Sequence, residues 1–123
     1  MILVEGDAEE ILIPQMVKKA YGVSLDELGI SLINIRSTGF KNVAQLFHDS
    51  RIRRKCSILT DLDDAICDTT IIEGENENLK KYKIKVENSK NKGLERKAIV
   101  DAFIKDNDWI KAFYADYTVE IDF

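Results

Sequence analysis

The stretch that decides the fold is ILVEGDAEEILIP, residues 2–14, in which four acidic residues stand between two apolar runs. The first run is short and stops at Gly6, which is typical of a buried strand, so residues 2–5 are predicted to be a strand. The second run has the spacing of a helix, which we predict over residues 7–21. Pro14 lies inside that helix, where we expect it to kink the helix or to shift its boundary.

Outward from this stretch, strand patterns and helical patterns alternate along the chain. Residues 30–35 and KCSILT, residues 55–60, are predicted to be buried strands, and residues 40–49 carry apolar side chains at helical spacing. The resulting order, with connections of this length, implies parallel strands with helices on the faces of the sheet. With a period-two strand predicted at residues 117–123, the fold class is α/β, with a central mostly parallel sheet of about four strands.

The middle of the chain breaks this pattern, because it is polar and rich in lysine. We interpret residues 73–92 as an exposed insertion. Within it, apolar residues alternate with lysines at residues 82–86, which predicts a marginal edge strand or hairpin. After the insertion, residues 94–105 are predicted to be a helix, and residues 109–113 an apolar helical turn.

Length and composition indicate one soluble cytoplasmic domain. The 123 residues suffice for a single core, no apolar run is long enough to span a membrane, and no signal peptide is visible. The two cysteines lack a metal-binding spacing, so we expect reduced thiols. The formal net charge of −4 argues against a simple nucleic-acid-coating protein, although eight basic residues fall within residues 80–97.

The four acids of the opening stretch divide into two pairs. Asp7 and Glu10 have the spacing of a capping box and suit the first turn of a helix, where negative charge is favoured. That explanation covers Glu9 less fully and does not cover Glu5. Glu5 stands at the carboxyl end of a predicted strand, where open α/β sheets place their ligands.

A second acidic group, DLDD, directly follows another predicted strand. Asp61 and Asp63 are two residues apart, so they share a face of the strand or converge in the turn beyond it. Carboxylates in such an arrangement are ligands for hard cations such as Mg²⁺. The alternative is that Asp63 or Asp64 caps a following helix. Glu120 joins the acidic group if the last strand lies alongside.

These acidic motifs are also those of a known family. VEGDAE at residues 4–9 and LTDLD at residues 59–63 resemble the Toprim domain, a Rossmann-like domain of topoisomerases, primases, recombination proteins and some nucleases. Together with GISLINI at residues 29–35 and TVE at residues 118–120, the sequence is similar to the Toprim half of the OLD (overcoming lysogenization defect) nucleases. The resemblance covers most of the chain apart from the lysine-rich middle.

The resemblance implies a metal-dependent DNA endonuclease or nickase that hydrolyses phosphodiester bonds with two Mg²⁺ or Mn²⁺ ions. The residues that it assigns both to catalysis and to metal binding are five acids: Glu5, Glu9, Asp61, Asp63 and Glu120. It implies DNA as the partner, an ATPase domain earlier in the same parent polypeptide, and no membrane. A homodimer formed through the parent protein is compatible with it.

Two features depart from the family. No GxxxxGK[ST] motif occurs in the chain, so ATP is expected to act only through an ATPase domain outside it. The basic residue that OLD nucleases supply from a later segment near the scissile phosphate is also absent. We therefore expect residues 1–123 to be a single Toprim domain excised from a longer protein, with its activity in isolation left open.

Two rival functions stay open at this point. One is a metal-dependent transferase of the DxD type using Asp61 and Asp63, which leaves Glu5 and Glu9 unexplained. The other is a non-catalytic Toprim-like scaffold that binds a partner. The position of the acids distinguishes them, because only the nuclease requires all the acids to meet at one edge of the sheet.

Overall fold

The computed structural model describes residues 1–36 and 39–117, which form a parallel sheet flanked by helices. The strands are β1 (Ile2–Val4), β2 (Leu32–Asn34), β3 (Cys56–Asp61) and β4 (Ile110–Ala115), and the helices are α1 (Asp7–Tyr21), α2 (Phe40–Ala44) and α3 (Glu77–Ile104). The strands lie in the order β2-β1-β3-β4, and every pairing is parallel. The predicted α/β class and parallel sheet are confirmed.

The strand order creates a crevice between β1 and β3. From β1 the chain crosses to β2 on one side, and it later returns to β3 on the other side, so connections leave these two neighbours in opposite directions. Leu3 is paired with Ile58, which brings the carboxyl ends of both strands to the same edge. Open α/β sheets bind their ligands at such a reversal of strand order.

The core lies on one face of β3, under α2 and α3. Side chains of β3 alternate between buried and half-buried, and Ile58 is fully buried. It belongs to a cluster with Phe40 and Ala44 of α2 and with Val100 of α3. Burial of apolar area at about 25 cal/mol per Å² is the main term that holds this face together.

The first helix follows the prediction closely. It spans Asp7–Tyr21, and Gly22 ends it in the left-handed conformation with φ 74°, donating its N–H to the carbonyl of Lys18. Pro14 lies within the helix without shifting its boundary. The second helix, by contrast, ends at Ala44, short of the predicted residue 49.

The lysine-rich middle is helical. The predicted edge strand or hairpin at residues 82–86 is wrong, since these residues lie in α3, and the helix predicted over residues 94–105 is the second half of α3. The side chain of Asn76 caps the helix by accepting from the N–H of Asn78. Glutamate and lysine are good helix formers, so the short alternation of apolar residues did not determine the structure. The proposed insertion therefore supplies a turn and the first half of α3.

The predicted helical turn at residues 109–113 is also wrong, because these residues belong to β4. All six residues of β4 pair with β3, and this pairing outweighs the local helical spacing. The strand predicted at residues 117–123 lies, beyond Tyr117, outside the described residues. Within the described part of the chain, no helix combines the length and apolar character needed to cross a membrane.

Candidate active site

Glu5 follows β1 directly, and two donors orient its carboxylate. Thr60, fully buried in β3, donates its hydroxyl to Glu5 Oε2 across 2.6 Å. Arg96 Nη1 donates to the same oxygen across 2.5 Å and to Thr60 Oγ1 across 3.1 Å. The predicted catalytic acid at the end of β1 is thus fixed against β3 and α3.

Arg96 bridges the acids of two strands. While Nη1 contacts Glu5, Nη2 lies 3.2 Å from Asp63 Oδ2, and the arginine side chain is only 13% exposed. Sequence reasoning missed this residue. The available signal was that Arg96 is the only arginine among the basic residues of positions 80–97. The planar guanidinium fork suits carboxylates better than the ammonium of lysine does.

The turn after β3 directs Asp63 towards the arginine. Asp63 has a φ of 54°, in the left-handed region that aspartate tolerates better than most residues do. Its N–H donates to the carbonyl of Tyr117 across 3.1 Å, and the N–H of Leu62 donates to the carbonyl of Ala115 across 2.8 Å. The DLDD turn is therefore bonded to the chain at and after the end of β4.

Asp61, the last residue of β3, shows that the predicted acids have come together. Burial is the largest cause that raises the pKa of its carboxyl from 3.8 to about 6, and the carboxylates of Asp63, Glu5 and Glu9 raise it further. Three acids that lie up to 56 positions away in sequence thus act on Asp61 at the carboxyl edge of the sheet. We predicted that meeting from the ends of the strands.

Glu9 is the buried acid of the first helical turn. It is 5% exposed and is the only residue of α1 that is fully inside. A Cβ on Gly6 would lie 2.8 Å from Glu9 Oε2, so the glycine of the VEG motif makes room for this carboxylate. The φ of Gly6 is −133°, which any residue adopts, so the requirement for glycine here is steric.

Asp7 and Glu10 lie in the first turn of α1 as predicted, but they do not cap the helix. Gly6 is the N-cap of α1, without a side-chain cap, so the predicted capping box of Asp7 and Glu10 is wrong. Both carboxylates instead accept from the side-chain amide of Asn34, across 2.7 and 2.9 Å. They therefore tie α1 to the end of β2.

The helix cap considered for the DLDD turn is absent as well. The next helix after β3 is α3, which begins at Glu77, so neither Asp63 nor Asp64 caps a helix. Asp64 accepts from the N–H of Ala65 and pairs with Lys90 of α3 across 2.9 Å. These contacts attach the turn to the middle of α3.

The donor chemistry of this edge fits a hard divalent cation. Carboxylate oxygens are the ligands that Mg²⁺ and Mn²⁺ take in proteins. Among residues 1–36 and 39–117, no group of three or more acids, histidines or cysteines is already arranged to hold an ion. The positive charge that contacts Glu5 and Asp63 is the guanidinium of Arg96. Glu120, the fifth predicted acid, lies outside the described residues.

Comparison with known families gives one match. Residues 1–63, which include all four described acids, match the family described as overcoming lysogenization defect protein-like, TOPRIM domain. This match covers half of the 123-residue chain. A comparison with curated proteins finds no match.

Solved structures agree with the family match. The C-terminal region of the Burkholderia pseudomallei OLD protein is 25% identical, with a TM-score of 0.53 over 97% of this chain and 54% of that one. The C-terminal region of the Xanthomonas campestris pv. campestris OLD protein, in its platinum-phased structure, is 22% identical, with a TM-score of 0.53 over 97% of this chain and 50% of that one. The chain thus spans about half the length of these structures. The resemblance read from the sequence motifs is confirmed.

Proposed function

The chain belongs to the OLD-like Toprim family, and we propose that its cluster of acids hydrolyses phosphodiester bonds of DNA with bound Mg²⁺ or Mn²⁺. Toprim domains of this family are nuclease-related and generally bind divalent metals. The observation that carries the proposal is the position of Asp61 among the carboxylates of Asp63, Glu5 and Glu9 at the ends of β1 and β3, where these neighbours raise its pKa. Acids of like charge crowd together in this way where a cation is to be bound.

The residues that would hold the cations are the predicted acids Glu5, Glu9, Asp61 and Asp63, with Glu120 as the fifth candidate. When bound, such cations supply Lewis acidity, which activates a water and stabilises the leaving oxygen of a phosphodiester. The protein contributes orientation. Thr60 fixes the carboxylate of Glu5, and the backbone bonds of the DLDD turn fix Asp63.

The surroundings of the acids are suited to a polyanion. A groove of about 340 Å³ between α2 and α3 opens beside Arg96, and Lys41 and Lys92 line it together with Glu95 and apolar side chains. Further lysines of α3 are exposed. Basic side chains on a nuclease surface contact phosphates without regard to sequence, which supports DNA as the substrate. We also propose that the parent polypeptide carries an ATPase domain and that the parent protein forms a homodimer.

The test is nicking of supercoiled plasmid by the full-length protein with Mn²⁺ or Mg²⁺. We expect Asp61→Asn and Glu5→Gln each to lower the nicking rate by about 100-fold or more, because each removes a carboxylate proposed to hold the cation. Asp26→Asn, which removes an exposed carboxylate after α1, should leave the rate unchanged. Circular dichroism checks that each variant is folded. Unchanged nicking in both site variants would exclude these residues from the mechanism.

One observation favours the non-catalytic scaffold as a second candidate. Arg96 already balances the charge of Glu5 and Asp63, as a permanent structural ion pair would. A scaffold would show no nicking with any divalent cation. The DxD-type transferase is less well supported, because it uses only Asp61 and Asp63. It gives no role to Glu5 and Glu9, which lie near Asp61.

A further inference from the structure

We propose that Arg96 competes with the divalent cation. Its guanidinium binds Glu5 and Asp63 in the metal-free protein, and it withdraws when these carboxylates bind a metal ion. This inference rests on the proposed function, because it concerns the same acids. It assigns to Arg96 the role of a built-in counter-ion that lowers the affinity of the protein for metal.

The contacts of Arg96 occupy carboxylate oxygens that a cation would also use. Glu5 Oε2 already accepts from both Arg96 and Thr60, and Asp63 Oδ2 accepts from the other terminal nitrogen of the guanidinium. A Mg²⁺ ion needs such oxygens at about 2.1 Å and would stand within a few ångströms of the guanidinium. Two positive groups at that separation repel each other strongly in a partly buried site. A cation bound through these two oxygens therefore requires Arg96 to leave.

The helix that carries Arg96 is fixed, so the side chain is the part that moves. Gly93 of α3 packs so closely on the carbonyl group of Leu62 that a Cβ there would overlap it. This contact holds the helix backbone against the DLDD turn. Arg96 itself also lines the groove of about 340 Å³ between α2 and α3, and this groove provides the space into which the guanidinium can swing.

Isothermal titration with Mn²⁺ measures the competition. We expect Arg96→Gln to bind Mn²⁺ about tenfold more tightly than the wild type, equivalent to about 1.4 kcal/mol, because the charged contacts no longer have to be broken. Lys85→Gln is the matched control. It removes one positive charge from an exposed position of α3 outside the groove, and Lys85 makes no ion pair among the described residues, so its affinity should stay within about twofold of the wild type.

The outcomes separate the inference from the proposed function. Equal or weaker Mn²⁺ binding by Arg96→Gln, with clear binding by the wild type, would overturn the competition and leave the metal-dependent function standing. No Mn²⁺ binding by any of the three proteins would overturn both.

A second measurement needs no variant, and so it covers the case in which Arg96→Gln does not fold. The side-chain Nε–H resonance of Arg96 is followed by NMR in the wild-type protein while Mg²⁺ is added. We expect it to move as the ion pairs with Glu5 and Asp63 are lost, with the Nε–H resonance of Arg53, which donates to the carbonyl of Asp49, as an internal control that stays in place. A resonance of Arg96 that is unchanged at saturating Mg²⁺ would refute the withdrawal.

Discussion

The ionised carboxylate of Asp61 should destabilise the metal-free protein, and this effect can be measured. Its pKa in the folded protein is about 6, against 3.8 for the ordinary carboxyl; burial is the largest cause, and the neighbouring carboxylates raise the pKa further. A raised pKa means that the protonated form favours folding. The stability contributed by Asp61 is therefore fully present below about pH 4 and is lost as the pH rises through about 6. At about pH 8 the ionised Asp61 destabilises the metal-free protein.

The magnitude follows from the size of the shift. A pKa that rises from 3.8 to about 6 corresponds to a change of at most about 3 kcal/mol in the free energy of unfolding. Asp61 is only partly buried, and solvent and salt screen it from its neighbours, so we expect about 1–2 kcal/mol in practice. Asn has nearly the same shape and no charge. Asp61→Asn should therefore raise the free energy of unfolding at about pH 8 by about 1–2 kcal/mol, in contrast to most substitutions of ordered residues.

Urea denaturation in EDTA, followed by the fluorescence of Trp109, tests this expectation. The gain from Asp61→Asn should be present in full at about pH 8 and largely lost at about pH 4, where Asp61 of the folded protein is protonated. Asp26→Asn, an exposed change of the same kind, should alter stability by less than about 0.5 kcal/mol at either pH. A variant that is less stable than the wild type at about pH 8, or a gain that does not depend on pH, would refute the reasoning.

The remaining predictions concern two glycines of the site. Gly93→Ala should destabilise the protein by about 2–4 kcal/mol in urea denaturation, although alanine usually stabilises a helix relative to glycine by about 1 kcal/mol, because its Cβ would overlap the Leu62 carbonyl group. Asn91→Ala, at an exposed position of the same helix, should cost nothing, and equal stability of the two variants would contradict the close contact. Gly6→Ala should cost at most about 1 kcal/mol, because the atom it meets is the end of the flexible Glu9 side chain. It should nevertheless weaken Mn²⁺ binding in a titration by about tenfold, and unchanged binding would argue against Glu9 as a ligand.

The first half of the chain could be predicted because its signals are local. Apolar runs that end at glycine mark β1 and the end of α1. The long connections between the strands imply that the strands are parallel. The convergence of Glu5 with Asp61 and Asp63 followed from this alone, since the carboxyl ends of parallel strands share one edge. The prediction of a capping box was wrong because the true partner of these acids is distant in the sequence. The distant Asn34 amide binds the carboxylates of Asp7 and Glu10, and no local spacing reveals that partner.

The second half depends on contacts that the sequence does not display. The first half of α3 has no clear apolar stripe, and part of its attachment is Lys83, which is 8% exposed, pairs with Glu75 and donates to the carbonyl of Thr70. Lysine is rarely buried unless it is paired, so the sequence alone predicts an exposed side chain for Lys83. Likewise, Arg96 is one of eight basic residues in its stretch, and only the folded structure shows which of them meets the acids.

The long separation of the bridged residues also has a consequence for how the chain reaches its native state. Glu5 and Arg96 are 91 positions apart, whereas Glu5 and Thr60 are 55 apart. On a ribosome, the acids of residues 5–63 are therefore synthesised well before the guanidinium that balances them, and closing the longer loop is entropically the more demanding step. Until residue 96 has been made, the carboxylates of Glu5 and Asp63 lack the guanidinium that binds them in the folded protein. This edge of the sheet is therefore completed late in the synthesis of residues 1–123.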